Sequence, residues 1–172
     1  SMGGTTHFHA LGAANDAGAE IELVPLGASG LISSLQNGDV AASSTFPPLN
    51  FVMEEDIGFG TSIYPFENLG PTLCSLWTAN EAAIENKSSQ IQGGLNAMFK
   101  GRLYMQENRA ESLEYLKGYT ENSDRVVRRS FDDVIRRMTT TGEFGTSELN
   151  NVIELASLAE GNENLPAAED LF

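Results

Sequence analysis

The apolar pattern of this chain changes period at Asn80, and that change restricts its folding more than any other feature. Before it, short apolar runs of strand length alternate with helical stretches; after it, every apolar pattern is helical. Residues 8–17 form a helical stretch closed by Gly18. Strand-like Ile21-Glu22-Leu23-Val24 then ends at Pro25, and a short amphipathic helix through Leu31, Ile32 and Leu35 stops at Asn37-Gly38. Val40–Ser44, Gly58–Tyr64 and Thr72–Leu76 read as further strands, with a helix over 49–56 and a Gly/Pro-punctuated loop from Pro65 to Pro71. Alternation of this kind with short connections predicts an α/β fold, an open mixed sheet flanked by helices, over residues 1–79. An α/β lobe ordinarily opens on a buried strand, so a strand preceding Gly3 is expected outside this chain. Ser1-Met2 reads as a boundary remnant.

Residues 80–172 predict a C-terminal helical region. Ile84, Ile91, Leu95, Met98, Phe99 and Leu103 share one helical face, with Gly93-Gly94 its weak point. Further helices are expected over 110–119, 123–138 (with Val126, Val127, Phe131, Val134 and Ile135 inward) and 147–159, the last ended by Gly161.

Charge and residue inventory narrow the function. The 172 residues carry a formal net charge of -14, which argues against nucleic acid as a partner, since phosphate binding needs clustered Lys and Arg. Half of the ten basic residues, Arg125, Arg128, Arg129, Arg136 and Arg137, sit on one predicted helix; they make a solvated face paired with acids or a dock for an acidic surface. Carboxylate runs Glu54-Glu55-Asp56 and Asp132-Asp133 read as solvated helix faces. The single cysteine, Cys74, lies in an apolar run and reads as a small buried residue. No Gly-x-Ser-x-Gly elbow, Walker pattern or dinucleotide glycine pattern occurs, so no catalytic residues and no cofactor are assigned. His7 and His9 stand two apart without a surrounding ligand set, and no metal site is assigned either.

The features that point to binding are three loop-to-helix turns. Gly3-Gly4-Thr5-Thr6 heads a helix; its amides and hydroxyls either cap that helix or contact an anionic ligand. His7 stands beside this turn, nearer the expected ligand than His9. Gly27-Ala28-Ser29 is a second such turn, and Ser44-Thr45-Phe46-Pro47 a third, where Phe46 either stacks on a planar solute or packs the core. On one sheet edge the three would converge into a pocket rim built from Gly4, Thr5, Thr6, His7, Ala28, Thr45 and Phe46.

The order of these segments resembles a known family. Gly4-Thr5-Thr6, Val24-Pro25-Leu26-Gly27, Leu35-Gln36-Asn37-Gly38-Asp39-Val40-Ala41-Ala42 and Thr45-Phe46-Pro47-Pro48 are similar to the second lobe of the sulfonate, nitrate, taurine and thiamine-precursor solute-binding proteins of ABC transporters. Those proteins have the type II periplasmic-binding fold. Asn108-Arg109-Ala110-Glu111, Ser130–Val134, Thr141-Gly142-Glu143 and the helix before Leu165-Pro166 resemble the family's ending, so the resemblance runs from Gly3 to Phe172. The family's Asp after the Gly-x-Val segment is displaced here, with Asp39 preceding Val40 and Ala41 following it. The resemblance implies a clamp that closes on a small anionic or planar polar solute and delivers it to a membrane permease, in an extracytoplasmic setting, with no enzymatic step. It also implies that the first lobe lies outside this chain, and that a helical face between Phe99 and Leu158 is left open for a second copy or another partner. Two other readings share the resemblance: a pyrimidine-precursor synthase that consumes a histidine, and an effector-sensing domain of a transcription regulator.

Overall fold

A computed structural model describes residues 2–61, 63, 67, 69–161 and 165–170. The helices form where local signals place them. α1 (Thr5–Asp16) runs into Gly18 at φ 60°. α2 (Ala28–Asn37) ends on Gly38 in the left-handed region, φ 76°, as the Asn-Gly pair predicts. α3 (Leu49–Val52) continues into a π-helical turn, Met53–Ile57. α4 (Glu81–Glu107) is capped by Asn80, whose side chain accepts the Ala83 amide at 2.8 Å. Its helical backbone is interrupted at Lys87 (φ -134°, ψ 21°), not at Gly93-Gly94. α5 (Arg109–Tyr119), α6 (Asp124–Arg137) and α7 (Thr146–Glu160) follow, then a short 3-10 helix, Ala168–Asp170. Gly161 closes α7 at φ 62°.

The expected α/β fold with an open mixed sheet is not what forms: among the described residues there is no strand, and the architecture is helical. Residues 21–24, 40–44 and 72–76 lie in irregular segments with no strand ladder between them. Of the fourth expected strand, Ser62 and Tyr64 fall outside the described residues, as do Pro65, Phe66 and Asn68 of the following loop; Ser1 and Phe172 do too. The reason is physical. A helix satisfies its amides within itself, whereas a strand is stable only when a neighbour at the right register accepts its hydrogen bonds and covers one face. Alternation in sequence supplies the face without the neighbour. Ile21, Val24, Leu76 and Trp77 accordingly remain exposed. Cys74, read as buried, is exposed for the same reason.

Two packing groups hold the chain. In the first, α6 presents Val127, Phe131 and Ile135 to Leu113 of α5, with Met105 of α4 and Leu116 packed alongside. Val126, fully buried, lies on the adjoining face of α6, which packs on α3. There the Arg129 guanidinium sits 4.3 Å from the Phe51 ring centroid and reaches Glu54 at 2.7 Å and Glu55 at 2.6 Å; Arg125 also pairs with Glu55. The run Glu54-Glu55-Asp56 is therefore an acidic seat for α6 and not a solvated face. Arg102 of α4 donates to the Ile135 carbonyl at 2.8 Å, and Arg109 grips Asp132 through two bonds of 2.9 and 2.7 Å. In the second group, α1 packs on α7, and the 3-10 helix packs on α7 as well. Contacts thus cross the expected boundary at residue 79/80 in both groups.

Ser123 begins α6: its hydroxyl oxygen accepts the Val126 amide at 3.4 Å and its O–H donates to Asp56 at 2.9 Å. Ser123→Ala removes both, and a loss of about 1 kcal/mol is expected, read as a lower urea midpoint with unchanged slope. An unchanged midpoint would mean that the ion pairs alone seat this helix.

For a mass of 18.5 kDa, a compact monomer exposes about 8,200 Å². This chain exposes 11652 Å².

Candidate functional site

A concave surface lies along the first turns of α1. Gly4, the residue before the helix, has no side chain to cap it, and the His7 and Phe8 amides both turn back to the Gly4 carbonyl at 2.9 and 3.1 Å. The Thr5 and Thr6 amides stand at the open, positive end of the helix. A cleft of about 230 Å³ opens beside Thr5, walled by Phe8 and His9 of α1, by the segment Thr72–Leu76, and by Leu149, Val152 and Leu155 of α7. That volume suits a small solute and is below the range of drug-sized pockets.

The walls are fixed by specific contacts. The Thr5 hydroxyl donates to the Cys74 carbonyl at 3.3 Å, and Asn151 of α7 donates its side-chain amide to the Pro71 carbonyl at 2.8 Å, so both helices pin the same segment. His9 Nε2 lies 3.4 Å from Thr72 Oγ1. Burial holds the His9 imidazole below its ordinary value of 6.5, so the ring is neutral at pH 7. The cleft therefore combines an apolar floor with the hydroxyls of Thr5, Thr72 and Ser75, one neutral imidazole, and the first residue of a helix whose end favours negative charge.

Of the residues named from sequence, Thr5 lines this cleft, while Gly4 and Thr6 flank it in the same turn. His7 does not line it; its Nδ1 accepts the Gly3 amide at 3.0 Å and closes the turn from outside. Ala28 begins α2, and Thr45 and Phe46 lie in the segment before α3; none of the three is on the cleft wall, and Phe46 is 62% exposed. The cleft thus takes in only the first of the three turns, and the sheet edge that was to bring them together is absent among the described residues. The expected order of the two histidines is reversed, with His9 and not His7 on the wall, and Thr72 and Ser75 are lining residues that the sequence did not single out. The spacing of Thr5 and His9, four apart on a helix, was the available signal, since it puts both on one face.

Among the described residues, no three His, Cys, Asp or Glu side chains gather around a common point, and no helix is long and apolar enough to cross a membrane. Comparison with protein-family models, with curated proteins and with solved structures gives no match to this chain.

Proposed function

We propose that this chain is a recognition module for a small anionic or polar solute, part of the solute-binding component of an ABC importer working outside the cytoplasm, and that the α1 cleft is its ligand contact. The importer part of this reading rests on the order of turn and helix motifs from Gly4 to Leu165-Pro166. The ligand part rests on one observation: Thr5, the first residue of a helix whose N-terminus has no side-chain cap, lines a cleft that also holds His9, Thr72 and Ser75. A sulfonate, nitrate or carboxylate group at that end would take the Thr5 and Thr6 amides, and the Thr5 hydroxyl would turn to it from the Cys74 carbonyl, while the apolar floor of Leu149, Val152 and Leu155 would take a short alkyl or planar body. Recognition of this kind needs no nucleophile and no cofactor.

The test is a thermal-shift and calorimetric titration with methanesulfonate, taurine, nitrate and a hydroxymethylpyrimidine, comparing the unsubstituted chain with Thr5→Val. A ligand that binds only the folded state raises the melting temperature. Loss of a hydroxyl that bonds an ionised group is expected to weaken binding about tenfold to a hundredfold. The pH arm carries a definite sign. In the free protein the pKa of His9 lies below its unfolded value of 6.5, so the unfolded chain takes up more protons and stability falls as pH drops below 6.5. A bound anion favours the imidazolium, so its affinity rises over the same descent. His9→Gln removes both effects. Absence of any shift with all four ligands up to about 10 mM, or equal binding by Thr5→Val, would overturn the assignment of the cleft.

A further inference from the structure

We infer that the outward face of α5 is a docking surface for a basic protein segment, one that lays an arginine or lysine against the stacked rings of Tyr115 and Tyr119. The two tyrosines, one helical turn apart, stack at 6.2 Å between centroids and 10° between planes, yet are 71% and 78% exposed. Exposed aromatic area of this size is what interface anchors present before a partner arrives. Gly118 lies between them in sequence, and a Cβ built there would meet nothing within 4 Å, so no neighbouring side chain screens this side of the helix.

Charge selects the partner. Exposed Glu111 and Glu114 share α5 with the rings, and exposed Glu107 and Glu121 lie just beyond its two ends in sequence. The nearest cations are already engaged: Lys117 reaches Asp124 at 2.8 Å and Glu114 at 3.2 Å, and Arg109 is held by Asp132. Glu111 accepts the Tyr104 hydroxyl at 2.8 Å, which fixes a carboxylate one turn before Tyr115. An aromatic pair within a negative field attracts a guanidinium or ammonium by Coulomb steering and then by cation–π contact. The chain makes the same kind of contact internally, with Arg129 over Phe51. A second copy meeting this face through two-fold symmetry would set like charges against each other.

The experiment is fluorescence anisotropy of a labelled Arg-Gly-repeat peptide titrated with the full chain, at low salt and again at 0.15 M salt. Binding that weakens with salt is expected. Tyr115→Ser/Tyr119→Ser should lose about tenfold or more in affinity, and Tyr115→Phe/Tyr119→Phe should stay within about twofold, because the ring face and not the hydroxyl holds the cation. Glu111→Gln/Glu114→Gln should weaken binding more than Glu81→Gln/Glu85→Gln, which removes the same charge from α4. This charge comparison holds even if the serine variant loses helicity. Equal binding by a folded serine variant, or equal loss from the two charge variants, would reduce the effect to the general attraction of a chain with net charge -14 and overturn the proposal. A dimer in sedimentation that the serine variant abolishes would also overturn it, by assigning the face to a second copy.

Discussion

Phe131→Ala is expected to lower the free energy of unfolding by about 3–5 kcal/mol, the range for truncating a buried phenylalanine. Phe131 is 6% exposed and packs with Leu113, Val127 and Ile135, where α6 meets α5. Its ring also lies 5.9 Å from the Arg109 guanidinium, which is anchored to Asp132 on the next residue of α6. Removing the ring leaves a cavity between α5 and α6, which the Arg109–Asp132 and Lys117–Asp124 ion pairs cross-link, so the site cannot collapse freely. Domains of this size are stable by only about 5–15 kcal/mol, so the variant should unfold at much lower urea and lose about half of its margin. Val134 is the control. It lies on the same helix and belongs to the same apolar set in the sequence, but it is 42% exposed. Val134→Ala should change stability by about 0.5 kcal/mol or less. Equal losses at 131 and 134, measured by circular dichroism in urea, would mean that the face of α6 turned inward is not the one described.

That contrast shows how far local signals reach. Helical periodicity selected Val126, Val127, Phe131 and Ile135 correctly, because residues three and four apart share a face whatever surrounds them. It also selected Val134, which a wide apolar stripe includes and the finite width of the α5 contact excludes. Helix stops were legible at Gly38 and Gly161, where the chain needs a left-handed residue. Strands were another matter. Ile21–Val24 and Thr72–Leu76 have strand composition, but the pairing that would make them strands is non-local, and no window of sequence contains it. The site divides along the same line. Thr5 was legible because a Gly-Thr turn heading a helix is a local motif. Leu149, Val152 and Leu155 read as ordinary core, since nothing in α7 announces that its apolar face closes a cleft against α1. Ala28, Thr45 and Phe46 were linked to Thr5 only through an expected sheet, and without the sheet they are separate turns.

The closure of α7 on α1 depends on one small residue, which leads to the second large effect. Gly12 is buried where α1 packs on α7, and a Cβ added there would stand 2.5 Å from a methyl of Leu155 and 3.1 Å from one of Leu69. Gly12→Ala places that single carbon against the ends of two flexible side chains. The clash is partly relieved by rotation and offset by the gain of about 0.5–1 kcal/mol from replacing a glycine within a helix, so the net change should be small. Gly12→Val adds two further methyls on a stiff, branched Cβ, and overpacking of this kind costs about 1–3 kcal/mol. The cost should fall selectively. Leu155 both blocks the added methyls and floors the cleft beside Thr5, so pushing it aside moves α7 off the segment that Thr5 and Asn151 hold. Hydrogen exchange should therefore quicken in α1 and α7 of the valine variant and stay unchanged in α5 and α6, whose packing shares no residue with Gly12. The solute response of the cleft should vanish together with that protection. Slow exchange in α1 of Gly12→Val, with full stability, would show that the two helices do not meet at this glycine, and the cleft they enclose would lose its rear wall.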